Sequence, residues 1–227
     1  MTIGTGSTPR PTNTVVVDGM TFAAYQEQVR AALVRDGAER ADLIDWLTRV
    51  CRASVDMLAA AGATVTAIDS TISATADHGT EADVGADIDG FGRRVGGSRH
   101  LMAASSFAAR ALADAQGTLG CGPGIDVAAV GRTILVRDLA VDGPARWPAF
   151  TRLALARGVR AAFAFPLEAG AVRLGVLTVY REHPGTLSPR ERWTATALAN
   201  EATRALNDAG DPLPDLEVAG PPDRSGS

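Results

Sequence analysis

The sequence predicts one α+β domain in which an antiparallel sheet carries helices on its faces. Three observations lead there. Val159 to Leu167 and Val172 to Tyr180 read as two strands joined by Glu168-Ala169-Gly170-Ala171, a connection short enough to make them an antiparallel hairpin. Helix-spaced apolar residues recur toward both ends of the chain, at Leu43, Leu47, Val50 and Leu58 and again at Trp193, Leu198, Ala202 and Leu206. Between them the period drops to two, first at Ala63 to Ile68. With 227 residues, 46% of them hydrophobic, the chain can bury a core of ordinary size as a single domain.

In chain order, residues 1–13 are rich in Thr, Pro and Gly and are expected to be disordered. Residues 14–38 form an arm and a first helix. Val15-Val16-Val17 is a short strand or a packed arm, and Phe22, Tyr25, Val29 and Leu33 give an amphipathic helix ending near Gly37. A longer helix is expected from Glu39 to Ala60, with Cys51 on its apolar stripe and Gly62 as its stop. After the Ala63–Ile68 strand, residues 73–98 are rich in Gly, Asp and Thr and read as a long solvated loop. Leu101 to Ser105 restores strand character, and Phe107 to Ala115 reads as a short helix capped by Ser105 or Ser106. Gly117-Thr-Leu-Gly-Cys-Gly-Pro-Gly124 is the densest turn signal, leading into a short helix from Ile125 to Val130 that Gly131 closes. Thr133 to Asp138 is a strand, and Arg146-Trp-Pro-Ala-Phe150 opens a helix with Pro148 in its first turn and Gly158 at its end. Beyond the hairpin, Ser188, Pro189 and Glu191 spell a capping box for the last helix. Residues 207–227 are rich in Pro, Gly and Asp and are expected to be a disordered tail, which leaves 39–206 as the domain proper.

Composition narrows the function classes. The formal net charge is −4, and every basic side chain is Arg, spread along the chain without a basic block. That distribution offers no electrostatic footprint for nucleic acid or for an anionic membrane surface. The absence of Lys, with abundant Ala, fits the codon bias of a GC-rich bacterial genome. No apolar run approaches the roughly 18 to 20 residues of a membrane span. The polar start lacks the charged and apolar regions of a signal peptide. Cys51 and Cys121 lie too far apart for a CxxC pair and make no disulfide framework, so a reducing, cytoplasmic setting is expected.

Few residues announce chemistry. Cys121 stands between two glycines, where it is either an accessible redox-sensing or ligand-contacting thiol or a small residue filling a turn. His78, His100 and His183 form no cluster with Cys or with one another, so no metal site is expected. Asp77, Glu81, Asp83, Asp87 and Asp89 do not fit a calcium loop and read as a solvated acidic stretch. Phosphate-binding glycine motifs and a GxSxG nucleophile elbow are absent. Trp147, Phe150, Phe163, Phe165 and Tyr180 are core residues or the aromatic wall of a binding site.

The pieces from Leu101 to Arg181 together resemble a GAF domain. They are Leu101-Met-Ala-Ala-Ser-Ser106, Thr118-Leu-Gly-Cys-Gly-Pro-Gly124, Gly131-Arg-Thr-Ile-Leu-Val-Arg-Asp-Leu139, Arg146-Trp-Pro-Ala-Phe150, Gly158-Val-Arg-Ala-Ala-Phe-Ala-Phe-Pro-Leu167 and Leu174-Gly-Val-Leu-Thr-Val-Tyr-Arg181. Their order is similar to that in the GAF part of actinobacterial regulators that pair this domain with an RNA-binding ANTAR unit. The chain stops about twenty residues past its last helix, so no ANTAR unit is expected and RNA binding is not carried over. In many relatives the glycine turn carries an acidic residue where this chain has Cys121, and a Cys where it has Gly124.

The resemblance implies an α/β/α sandwich with a central antiparallel sheet, terminal helices on one face and an enclosable pocket on the other. Gly120, Cys121, Gly122, Trp147, Phe150, Phe163, Phe165 and Tyr180 would then be the pocket residues. It also implies a non-catalytic sensory or regulatory module that binds an unidentified small molecule, or a redox signal, and passes it to a partner protein through its helices. No cofactor and no metal are implied. Flanking helices in this family often pair, which makes a homodimer the expected assembly. The alternatives are an enzyme that reduces free methionine sulfoxide through Cys121 and a ligand-free adaptor or dimerisation domain. The Asn-Lys-Phe-Asp-Glu signature associated with cyclic nucleotide binding is absent.

Overall fold

Alternation along the strands divides the apolar residues between the two faces of one sheet. The computed structural model describes residues 16–17, 19–34, 42–68 and 99–210. Its elements are β1 (Val16–Val17), β2 (Met20–Thr21), α1 (Phe22–Val34), α2 (Leu43–Leu58), β3 (Gly62–Ile68), β4 (Arg99–Ala104), α3 (Phe107–Leu119), α4 (Pro123–Val130), β5 (Ile134–Val136), α5 (Leu139–Arg146), α6 (Pro148–Ala156), β6 (Ala161–Ala169), β7 (Val172–Arg181) and α7 (Pro189–Gly210). β1 and β2 form a small ribbon, and the main sheet has the order β4-β3-β7-β6-β5. Every neighbouring pair in it is antiparallel, as the hairpin led us to expect.

One face of the sheet presents Ala63 and Val65 of β3, Phe163, Phe165 and Leu167 of β6, and Leu177 and Val179 of β7. These pack against Leu47, Val50, Cys51 and Leu58 of α2 and Ala195, Leu198 and Ala202 of α7. α1 lies on α7: Phe22 meets Trp193 edge-on at 5.5 Å, and the Tyr25 hydroxyl shares a 2.7 Å hydrogen bond with Thr194 Oγ1. The other face carries shorter side chains, including Thr64, Ala162, Ala164, Val176 and Thr178, and is covered by α3 to α6. The register of β4 against β3 shifts between Val65 and Thr66, which inserts Met102 as a bulge. Consequently Leu101 and Ala104 both turn toward the α3 side, while Ala103 between them packs with the terminal helices.

Several boundaries differ from the sequence reading. α3 runs through Gly117 to Leu119, so the turn shrinks to Gly120–Gly122 and α4 begins at Pro123. α5 was not foreseen, because Gly143 and Pro144 sit inside it. α2 ends on Ala59 in the left-handed region (φ 47°), and Gly62 is the first residue of β3 rather than the helix stop. α7 continues to Gly210, four residues into the segment expected to be a tail. The expected loop at 73–98 and the expected disordered segments 1–13 and 211–227 lie outside the described residues.

The capping box forms as read. Ser188 N–H donates to Glu191 Oε2 at 2.7 Å, and Glu191 N–H donates to Ser188 Oγ at 3.2 Å. Arg181 at the end of β7 donates to Glu191 and also to the Leu58 carbonyl that ends α2, so one guanidinium ties α7 to both. Burial works against ionisation of Glu191, but the Ser188 and Arg181 hydrogen bonds outweigh it and hold the carboxyl below its ordinary value of 4.5. A carboxyl depressed by folding contributes stability that is present above its unfolded value and lost as the pH falls through the folded one. Ser188→Ala is expected to lower the unfolding free energy by about 1 kcal/mol in urea at pH 7. Glu191→Gln is expected to be destabilised at pH 7 and to converge on the parent chain in acid; equal stability of the two at pH 7 would remove Glu191 from this role.

Candidate functional site

The glycine-rich segment is built around one buried amide. Gln116, 4% exposed near the end of α3, accepts a hydrogen bond from the backbone N–H of Gly124 at 2.7 Å through Oε1. Its Nε2 donates to the Tyr180 hydroxyl at 2.9 Å. The chain must pass close over this side chain: a Cβ on Gly122, whose φ is +143°, would lie 2.4 Å from Gln116 Oε1. A Cβ on Gly124 would stand 3.1 Å from Thr178 Oγ1 and 3.2 Å from Gln116 Oε1. Small residues are thus required by the approach of the backbone to Gln116, and Pro123 then starts α4 at a position where its missing N–H costs nothing.

Beside this joint the α3 side of the sheet opens into a cleft of about 410 Å3. Its floor is Thr66 and Ile68 of β3, Leu101 of β4, and Val176 and Thr178 of β7. Ala113, Asp114, Gln116 and Gly117 of α3 form one wall, and Gly124 and Ile125 of α4 form the other. Arg99 and Thr118 complete the lining. The surface is mainly apolar with a few polar groups, the general make-up of a small-molecule site, and its size sits near the low end of the roughly 300–1,000 Å3 usual for them.

None of the eight residues expected to form a pocket lines this cleft. Phe163 and Phe165 point to the opposite face, under α2 and α7. Trp147, Phe150 and Tyr180 lie on the cleft side but fill the adjoining half of it, packed with Leu112, Leu139 and Ala162. Trp147 Nε1 donates to Asp126 at 3.1 Å, and Arg146 pairs with the same carboxylate while its guanidinium stacks 4.2 Å from the Trp147 ring centre. These contacts tie α4 to the α5–α6 corner. Tyr180 is fully buried, and burial pushes its hydroxyl well above the ordinary phenol value despite hydrogen bonds with Thr64 and Gln116. Gly120 and Gly122 bound the turn, and Cys121 between them packs against the Trp147 cluster. Cys51 is fully buried on the far side of the sheet, with its thiol pushed up to about 12 by desolvation. Both cysteines are free.

The lining residues that sequence reading passed over are Thr66, Ile68, Arg99, Leu101, Val176 and Thr178 on the sheet, with Asp114 and Gln116 above them. Threonine at every second position of β3, opposite Val176 and Thr178 of β7, was the available signal of a buried face that keeps polar groups. Among the described residues, no group of three His, Cys, Asp or Glu is placed to hold a metal ion, and no helix is long and apolar enough to cross a membrane.

The sequence profile of the GAF domain matches residues 40–207. The chain belongs to the GAF domain family. Solved GAF structures share its fold at low sequence identity. One is the GAF domain of an Acinetobacter phosphoenolpyruvate-protein phosphotransferase, 12% identical over 82% of this chain and 94% of that one, with a TM-score of 0.53. The corresponding domain from Coxiella burnetii is 16% identical over 81% and 94%, again at 0.53. A phycocyanobilin-bound GAF domain from a cyanobacterial phytochrome is 13% identical over 81% and 94%, at 0.50. No curated protein matches the chain in sequence. Within this GAF domain, Gly122→Ala forces both a strained backbone and a clash with Gln116, and it is expected to cost about 2 kcal/mol or more in urea unfolding. An unchanged midpoint would mean that the turn does not need the glycine.

Proposed function

We propose that this GAF domain is a sensory and regulatory module that takes a small molecule into the cleft between α3 and α4 and relays its occupancy through α2 and α7. The observation that carries this reading is that the cleft is floored by the same strands that hold those helices. On β3, Thr66 lines the cleft while Val65 packs under the helices; on β7, Val176 and Thr178 line it while Leu177 and Val179 face the other way. A ligand resting on this floor therefore touches residues whose immediate neighbours form the helix contacts. The phycocyanobilin held by the phytochrome GAF domain supports use of the fold for small-molecule binding.

The protein acts without catalysis in this reading. Thiol chemistry on methionine sulfoxide would need a cysteine at the cleft, whereas Cys121 packs into the Trp147 cluster and Cys51 lies behind the sheet. Cytoplasmic placement, a homodimer paired through the terminal helices, a regulatory protein as the recipient of the signal, and kinship with the actinobacterial GAF-ANTAR regulators belong to the same proposal.

The test is thermal unfolding and native mass spectrometry of the protein with small-molecule extracts of a GC-rich bacterium. A ligand at a hundredfold its dissociation constant is expected to raise the midpoint by about 5 °C or more. Val176→Trp, which fills the floor of the cleft, is expected to abolish the shift and the bound mass. An equal shift in the variant would move the ligand elsewhere, and no bound mass in either protein would favour the adaptor reading.

A further inference from the structure

The cleft carries two opposite charges that do not neutralise each other. Arg99 begins the edge strand β4, paired in register with Ile68, and is half-buried. Asp114 stands on α3, in one wall of the cleft, and is exposed. No ion pair joins Arg99 to Asp114, or either of them to any other charge among the described residues, Arg110 one turn earlier on α3 included. Other charged side chains near this face are engaged: Asp126 holds Arg146 and Trp147, and Asp138 holds Arg160. Arg99 and Asp114 are the only ionisable groups among the described residues of the lining, so that described lining carries one charge of each sign.

We infer that the ligand is a small zwitterion with an apolar body, its anionic group on Arg99 and its protonated amine on Asp114. This rests on the reading of the cleft as the ligand site. A simple organic anion gains from Arg99 but meets Asp114 with the same sign, and a simple amine meets the reverse conflict; only a molecule bearing both charges gains from both side chains. The floor agrees with this. Ile68, Leu101 and Val176 accept an apolar body beside the two charges, while Thr66 and Thr178 offer hydroxyls for a polar tip. The Gln116 amide is already committed to Gly124 and Tyr180 and takes no part in selection. The modest volume favours a ligand of about the size of an amino acid over an extended cofactor.

Three compounds of one skeleton separate the charges: L-phenylalanine, 3-phenylpropionate, which lacks the amine, and phenethylamine, which lacks the carboxylate. Titration calorimetry of each against the full chain is expected to give at least tenfold tighter binding for phenylalanine than for the other two. Arg99→Gln is expected to weaken phenylalanine about tenfold and leave phenethylamine unchanged. Asp114→Asn is expected to weaken phenylalanine by a similar factor and leave 3-phenylpropionate unchanged or slightly improved. Thermal unfolding of each variant checks that neither substitution acts through folding. Equal or tighter binding of either singly charged compound overturns the zwitterion, as does phenylalanine binding that neither variant changes. Silence from all three compounds while the bacterial extract still stabilises the parent chain overturns this inference and leaves the sensory reading standing. Silence from the compounds and the extract alike removes both.

Discussion

The Gln116 side chain is the constraint on which the cleft depends. Its carbonyl and amide are both satisfied inside the protein, by Gly124 and Tyr180, at a place almost closed to water. A buried amide left without partners costs roughly 1–3 kcal/mol, so the chain around it is held to the one arrangement that supplies both. That arrangement places the end of α3, the start of α4 and the middle of the sheet at fixed separations. Gly122 follows from it, since there the backbone crosses Gln116 closer than a Cβ could stand, and at Gly124 the fit is tight. The far wall is fixed by other means: Arg173 donates to the carbonyls of Ala128 and Ala129 at the end of α4, and Asp126 fastens its first turn to the α5–α6 corner. α3 and α4 are thus each pinned, and the gap between them is a property of the scaffold rather than of loosely packed helices.

The α3 side of the sheet is consequently divided. Toward β5 and β6 the large side chains Trp147, Phe150 and Tyr180 fill the space under α5 and α6, and Ala162 and Ala164 let the helices approach closely. Toward β3 and β4 the floor residues are of medium size, and none of the described lining residues is of comparable bulk. Packing a full set of aromatics in one half rigidifies it, because a well-filled core resists displacement. Any adjustment to a ligand falls instead on β3 and β4, next to the strand residues that support α2. A ligand can bias the helix layer only by the difference in its affinity for two arrangements of these elements, so direct contact with Thr66, Val176 and Thr178 is the economical place to generate that difference.

Local signals in the sequence carried most of the fold. The β6–β7 hairpin, the Ser188–Glu191 box and the stripes of α1, α2 and α7 depend on contacts within a few residues or on a strict period, and the structure reproduces them. Glycine and proline inside helices were misjudged. Gly117 looked like part of a turn, yet it lies in α3 with open space where a side chain would be, a cost of only about 1 kcal/mol that the rest of the helix absorbs. Gly143 and Pro144 hid α5, although a Cβ on Gly143 would strike Thr151 Oγ1 at 2.3 Å, so the glycine belongs to the packing of α5 on α6. The site was the least legible part. Alternation separates the two faces of a strand without telling which face is filled, and the aromatics that suggest a binding wall are the residues best able to fill a core. The bulge at Met102 compounds this, since the side chains before and after it exchange faces.

The helix layer that would carry a signal is itself uneven. The first turn of α7 is fastened by the capping box and by Arg181, which reaches both Glu191 and the end of α2. Three turns further on, Glu201 is 2% exposed beneath α1, with Oε1 lacking a hydrogen bond and Arg204 at 3.4 Å as its ion-pair partner. Burial raises its carboxyl above the ordinary value; Arg204, Arg30 and Gln26 oppose that shift and Glu27 adds to it. Folding therefore favours the protonated form of Glu201. The stability this group contributes is full at low pH and declines as the pH rises through its folded value, the reverse of Glu191 at the other end of the same helix. A rising pH therefore weakens the α1–α7 seam, whereas a falling pH weakens the α7–β7 joint. The helix is thus fastened by paired groups at its first turn, while beneath α1 it carries a buried carboxyl oxygen without a hydrogen bond, so pH acts on its two ends in opposite senses.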